Sequence, residues 1–393
     1  MNNRYLINPI LDDLNKKMVF LSGPRQVGKT TLANMIAEIN GYPYDYMNWD
    51  DSSDKKRILH LSFLNNPKLL IFDEVHKYKM WKNHIKGLFD KHKDNYKIMV
   101  TGSARLDIFQ KGGDSMLGRY FSYRLHPFSL AEILAPEKIN SLIPGKEINI
   151  ESYPTAFSEN MEVLLKFGGF PEPFLSQNER TLRRWNNARS DRLIREDIRD
   201  IESLHDISKL QVLIELILPK VGSLCPINSL REDLQVTHKT AGDWLDILER
   251  FYFHFRIYPY ASTTFRSLRK EPKIYLWDWS EVENEGAKLE NMVASHLLKT
   301  CHFLYDHDGY KVELRFLRDL EGRETDFIVL ENGKPWFAVE VKTSDQKTSK
   351  NLLYFGKKLN IPYLFQVVRT PGIDTIQDGV RLLSVDKLLA ALI

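Results

Sequence analysis

The chain has 393 residues, of which 43% are hydrophobic and 27% charged, a composition that excludes a disordered or fibrous protein and a single small module. Its 55 Lys and Arg nearly balance 52 Asp and Glu, so the net charge of +3 does not by itself announce a nucleic-acid binder, and basic surface must come from local clustering. Cys225 and Cys301 are the only cysteines, which excludes a disulfide framework and a CxxC zinc site. With no signal-peptide run and nothing near the roughly 20 apolar residues of a membrane span, the cytoplasm is the expected location and a membrane is not an expected partner.

From Lys17 to about Phe128, short apolar runs alternate with helix-compatible segments, which predicts βα units around a parallel sheet. MVFLS (18–22), YDYMNW (44–49), LLIFD (69–73) and KIMVTG (97–102) are its expected strands. The strand signal fades after Phe128, and from Glu159 to Leu218 the sequence reads as a helical connector or lid, broken by the turn GGFPEP at 168–173. Residues 206–260 read as a helix, a helix-turn-helix around Gln235, Val236 and Thr237, and the alternating aromatic run FYFHFRIYPY, which suits a wing hairpin. The pattern resembles a winged helix. Beyond a polar, basic loop at 262–273 come an amphipathic helix at 286–299 and strand-like segments at 311–317, 325–330 and 336–342, the pattern of an α/β domain. The chain is therefore expected to divide into 1–150, 151–270 and 271–393.

The octapeptide GPRQVGKT comprises Gly23, Pro24, Arg25, Gln26, Val27, Gly28, Lys29 and Thr30, with MVFLS before it and Thr31 leading into a helix. It fits G-x-x-x-x-G-K-[ST] in the strand, loop and helix context that the motif requires. Backbone N–H groups of such a loop wrap phosphates, Lys29 neutralises the β and γ oxygens, and the Thr30 hydroxyl ligates Mg²⁺, which makes ATP and Mg²⁺ the expected cofactors. In LLIFDEVHK, four apolar residues form a buried strand, and Asp73 and Glu74 emerge at its carboxyl end, where α/β sheets bind ligands. Asp73 is expected to hold Mg²⁺ through water, and Glu74 to polarise the attacking water as base. KIMV ends in Thr101, Gly102 and Ser103. If that strand lies between the other two, Thr101 or Ser103 is a phosphate sensor; the alternative is a strand-end turn with hydroxyl caps.

GPRQVGKT, LLIFDEVHK, VTGSAR, LGRYFSYRLHPFSLAE at 117–132 and GGFPEP together resemble the bacterial and archaeal AAA-type ATPases. The likeness is to the branch that carries a C-terminal domain of unknown function with a PD-(D/E)XK nuclease-like core. It implies a P-loop NTPase sheet in residues 1–150, and it makes Arg119 in LGRYF a candidate arginine finger or cis sensor, supplying positive charge to the γ-phosphate. A surface salt bridge is the alternative for that arginine.

Residues 180–199 hold Arg180, Arg183, Arg184, Arg189, Arg192, Arg195 and Arg199, and the last three share a helix face. Such a stripe suits a phosphate backbone or a neighbouring subunit's nucleotide, but Asp191, Glu196, Asp197 and Asp200 are interleaved, so ion pairs on a solvated face explain it equally. In the expected recognition helix, HKTAGDWLDILERF, residues His238, Lys239 and Thr240 come first and would meet base edges or phosphates; a purely structural wing is the alternative. Arg266, Arg269 and Lys270 add a second basic cluster, while Asp243, Asp246 and Glu249 oppose deep insertion into a groove.

Glu290 falls on a helix, Asp326 inside the strand ETDFIVL, and Glu340 and Lys342 two positions apart on FAVEVK, which puts the last pair on one strand face. The order Glu, Asp, Glu-x-Lys resembles the PD-(D/E)XK nuclease core, in which carboxylates hold one or two Mg²⁺ ions and Lys assists the water. Gln366 on a further strand is expected to orient that site. The expected protein is a cytosolic AAA-type ATPase that couples ATP to nucleic-acid binding or processing. The alternative is a nucleotide-controlled switch whose inert C-terminal domain grips a protein partner. DNA, a protein and a second copy of the chain are its candidate partners.

Overall fold

A computed structural model describes residues 4–103, 116–134, 142–150, 157–194, 206–261, 271–344 and 347–393. These fall into two compact units, Met1–His126 and Pro127–Ile393. In the first, β1 (Met18–Ser22), β2 (Tyr44–Asn48), β3 (Leu69–Asp73), β4 (Lys97–Thr101) and β5 (Tyr120–Arg124) form an all-parallel sheet in the order β2-β3-β4-β1-β5. β1 and β3 are buried at every position, which is why they read as unbroken apolar runs. The fifth strand was not expected: as a sheet edge, YFSYR buries only Tyr123 fully, so it carries no continuous apolar signal.

The crossovers of the first unit use α2 (Lys29–Asn40), α3 (Ser52–His60) and α4 (Trp81–His92), and α1 (Ile7–Asp13) precedes the sheet. Phe20, Leu70, Phe72, Ile85 and Val100 belong to one buried cluster of this unit. Just before α1, the guanidinium of Arg4 donates to the carbonyls of Val27 (2.9 Å) and His126 (2.5 Å), tying the phosphate loop to the end of the unit. At the start of that loop Gly23 has φ 147°, and a Cβ there would lie 2.5 Å from the Leu125 carbonyl oxygen, so only glycine fits.

The second unit begins earlier than residue 150. Lys299 reaches the Pro127 carbonyl, the Ser129 hydroxyl and Glu132, and the Leu130 N–H donates to His296, so residues 127–132 pack with the long helix Glu285–Asp306 that carries both residues. Its helices are α5 (Leu130–Leu134), α6 (Phe157–Phe167), α7 (Pro171–Ser176), α8 (Glu179–Arg192), α9 (Ile207–Ile217), α10 (Ile227–Leu234), α11 (His238–Arg250), α12 (Glu285–Asp306), α13 (Lys350–Leu359) and α14 (Val385–Ala391). Its strands are β6 (His254–Pro259), β7 (Lys273–Leu276), β8 (Val312–Arg318), β9 (Glu324–Glu331), β10 (Lys334–Lys342), β11 (Tyr363–Val368), β12 (Asp374–Gln377) and β13 (Val380–Ser384). They form one mixed sheet in the order β12-β13-β11-β10-β9-β8-β6-β7.

The helix-turn-helix is where it was expected: α10 ends at Gln235 in the left-handed region, and Thr237 caps α11 by accepting the Thr240 N–H. The strands after it do not make a separate wing. β6 pairs with β7 and also, in parallel, with β8, so the hairpin is the edge of the C-terminal sheet, and residues 206–276 and 285–393 share one fold. Among the described residues no helix is long and apolar enough to cross a membrane.

Candidate functional site

At the carboxyl edge of the parallel sheet, β1 runs into the loop Gly23–Gly28, and α2 starts at Lys29, with Thr30 and Thr31 in its first turn. Positive φ angles at Gln26 (60°) and Gly28 (98°) curl the loop. The Lys29 ammonium, largely buried, donates to the carbonyls of Gly23 (3.0 Å) and Pro24 (2.8 Å), so the loop arches around it. β4 lies between β3 and β1, as a sensor at its end requires.

Three hydroxyls hold Asp73. Thr30 Oγ1 (2.9 Å) and Tyr46 OH (2.6 Å) donate to its Oδ2, and Thr101 Oγ1 (2.5 Å) donates to its Oδ1. Thr101 therefore positions Asp73, and Ser103, buried just beyond the strand, is the remaining sensor candidate. Tyr46 carried no motif signal in YDYMN. It lies on β2 beside β3, two residues before the position paired with Asp73. Burial, reinforced by the Asp73 carboxylate, pushes its phenol well above the usual range and keeps it a donor.

Glu74 follows at φ 57°, a strained conformation for a non-glycine residue, held by its N–H on the Thr101 carbonyl (3.0 Å). Its carboxylate lies 3.5 Å from both Lys77 Nζ and His76 Nε2. Burial raises its pKa above the ordinary carboxylate value, against the pull of Lys29, Lys77 and Arg25. Proton affinity raised in this way is what a general base needs. The adjacent Thr30 hydroxyl and Asp73 carboxylate suit Mg²⁺, which takes one or two protein oxygens and completes its shell with water and phosphate.

In the second unit, Asn332 and Gly333, both at positive φ, turn β9 into β10. The register pairs Val339 with Phe327, so its next position sets Glu340 opposite Asp326. Glu290 arrives from α12. Asp326 acts on both of the other carboxylates, and burial, with Asp326 as neighbour, pushes Glu290 and Glu340 each up to about 7. Lys342 Nζ is 2.9 Å from Glu340 Oε1, while Glu340 Oε2 is buried without a hydrogen-bond partner among the described residues, as suits a carboxyl that keeps its proton to near neutral pH. Gln366 accepts the Ser349 N–H (2.7 Å) and donates to the Lys347 carbonyl (2.8 Å), and the Ser349 hydroxyl donates to Glu340 (3.3 Å).

Sequence reasoning missed Lys273, which it left in the basic loop and which in fact opens β7. The Lys273 ammonium lies 2.7 Å from Glu324 Oε1, 3.3 Å from Glu290 Oε1 and 3.8 Å from Asp326 Oδ1, with the side chain 3% exposed. Glu290, Asp326 and Glu340 do not fit the expected divalent-metal site as they stand, because the cation between two of them is a lysine. Among the described residues no three His, Cys, Asp or Glu side chains are disposed to hold a metal ion.

Comparison with known proteins agrees with the first unit's geometry. Residues 15–134 match an AAA domain. Residues 158–281 and 285–388 match two families described as domains of unknown function, DUF8612 and DUF4143. An uncharacterized protein of Methanocaldococcus jannaschii is 24% identical over 339 residues, covering 75% of this chain and 70% of that one. One from Mycobacterium tuberculosis is 21% identical over 401 residues, covering 95% and 83%. The Thermotoga maritima RuvB Holliday junction branch migration motor aligns over 64% of this chain and 87% of its own, at 17% identity and TM-score 0.29. That score decides nothing, and the fold rests on its own strand order.

In the first unit, Arg119 is not at the edge of the sheet that carries the loop Gly23–Gly28. The Met18 N–H donates to its carbonyl, which puts it at the amino end of β1, about 17 Å from the loop for five residues at roughly 3.3 Å each. Its guanidinium makes two bonds to Asp90 (2.7 and 3.1 Å). The cis-sensor expectation is thus corrected to an ion pair. Of the arginine stripe, Arg189 pairs with Glu281 and lies over the Phe170 ring, whereas Arg180, Arg184 and Arg192 are exposed. Arg195, Arg199, Glu196, Asp197, Asp200, Arg266, Arg269 and Lys270 lie outside the described residues.

Proposed function

We propose that the protein binds ATP with Mg²⁺ and hydrolyses it in the AAA-type domain, and that the cycle drives nucleic-acid binding or processing by the second unit. The observation that carries the ATPase reading is the convergence of Lys29, Thr30, Asp73 and Glu74 at one end of a parallel sheet, with Asp73 fixed by three hydroxyls. Lys29 binds the β and γ oxygens, Thr30 and Asp73 hold the metal side of the nucleotide, and Glu74 takes the proton from water. Bound Mg²⁺ supplies positive charge at the phosphate oxygens. Lys29→Ala is expected to weaken ATP binding about a hundredfold, the loss of roughly 3 kcal/mol from charge-assisted contacts, in a direct titration. Unchanged affinity would remove the reading.

Nucleic acid is favoured by the charge on α11. Arg256 of β6 bonds Asp246 (2.6 Å) and Glu249 (2.9 Å), so two of the three acidic residues that oppose a phosphate backbone are already neutralised. His238 and Lys239 are exposed at the helix start. Replacing both by Ala is expected to weaken duplex binding and to lower the slope of log affinity against log salt by about 1, one released counterion per lost phosphate contact. Equal slopes in mutant and wild type would return the helix to a structural role.

The second reading, a nucleotide-controlled switch that grips a protein, is favoured by the lysine inside the carboxylate cluster. In that case DNA stays intact with Mg²⁺ or Mn²⁺ in every nucleotide state. Association with a second copy belongs to either reading: Arg119 would reach a neighbour's nucleotide only by leaving Asp90.

A further inference from the structure

We infer that Lys273 is the resident cation of the carboxylate cluster, and that its ammonium closes the nuclease-like site of the second unit to divalent metal. Three elements deliver the cluster: β7 brings Lys273, α12 brings Glu290, and β9 brings Glu324 and Asp326. The ammonium stands among three carboxylates at 2.7, 3.3 and 3.8 Å. A metal ion would need those oxygens drawn in to about 2.0–2.6 Å around a common centre, and the ammonium sits at that centre.

Nor can the lysine step aside. Its backbone is fixed by pairing with Ile257 and by a bridge to Leu224, and its side chain has almost no exposed surface through which to leave. The carboxylates have further partners. Tyr275 donates to Glu290 Oε1 (2.7 Å), the oxygen that Lys273 also contacts, while the second oxygens of Asp326 and Glu324 are taken by the Val341 N–H (Oδ2, 2.9 Å) and by Arg318 (Oε2, 2.6 Å). Burial disfavours the charge on Lys273, but Glu290, Asp326 and Glu324 outweigh it and hold the ammonium protonated above its ordinary range. The cluster thus keeps the carboxylates of a metal site and supplies its own positive charge. This holds whether or not the AAA-type domain hydrolyses ATP.

The test is a Mn²⁺ titration of the full chain without nucleotide, with free ion read by electron paramagnetic resonance. Wild type and Asp326→Asn are expected to bind equally. Lys273→Met, which keeps the length of the stem and removes the charge, is expected to gain one Mn²⁺ site, and adding Asp326→Asn is expected to remove it. Wild-type binding that Asp326→Asn abolishes would overturn the inference, as would a folded Lys273→Met that gains nothing. Circular dichroism reports whether Lys273→Met folds. If it does not, the comparison of wild type with Asp326→Asn decides alone: equal binding supports the inference, and a lost site overturns it.

Discussion

Glu74→Gln is expected to bind ATP as tightly as the wild type and to hydrolyse it at least about a hundredfold more slowly. A positioned general base contributes roughly 10²- to 10⁴-fold, and the amide keeps the size of the side chain while removing its proton affinity. The backbone supports the assignment: Glu74 is held in the left-handed region by the Thr101 carbonyl, directly after the residue that the three hydroxyls clamp. Because burial raises the Glu74 pKa above its ordinary value, the rate should fall as pH drops toward that raised value and the base is lost to protonation. Phosphate release measured beside nucleotide affinity checks both parts. Equal turnover in the two proteins would mean that another group activates water.

Lys299→Met is expected to destabilise the second unit by about 3–5 kcal/mol, the cost of leaving a buried charge without its partner. Lys299 is 2% exposed and Glu132 fully buried, at 2.7 Å, with the Ser129 hydroxyl (2.8 Å) and the Pro127 carbonyl (3.3 Å) completing the ammonium's bonds. Adding Glu132→Leu should recover much of the loss, since two apolar groups leave no orphaned charge. Urea unfolding of the two single variants and the double variant measures the coupling. A double variant as unstable as the sum of the singles would show that the pair does not act as a unit.

The parts of the molecule that a sequence spells out are those in which one short segment does the whole job. The phosphate loop lies within eight consecutive residues between a buried strand and a helix, and Asp73 and Glu74 close an apolar run, so spacing alone locates them. The Asn332-Gly333 turn likewise announces the β9–β10 hairpin but not its register: a shift between Pro335 and Phe337 moves the pairing by one residue, and only that shift sets Asp326 opposite Glu340. Tyr46 and Lys273 act through partners 27 and 17 or more residues away, and no local pattern marks either. Lys273 also follows a basic stretch, which drew it into a loop. Arg119 shows the opposite failure, because its motif was legible while its place at the amino end of the sheet depended on the direction of β5.

The two families of unknown function meet between residues 281 and 285, yet the eight-stranded sheet crosses that seam, with β6 and β7 on one side and β8 to β13 on the other. What is recognisable as two pieces therefore shares one sheet. A lineage that passed the C-terminal piece to a new partner would lose the strand that covers β8, and the bare edge would be open to pairing with any passing chain. The seam is thus a poor place for recombination, and a protein carrying the second piece alone would need some other strand, helix or charge to guard that edge.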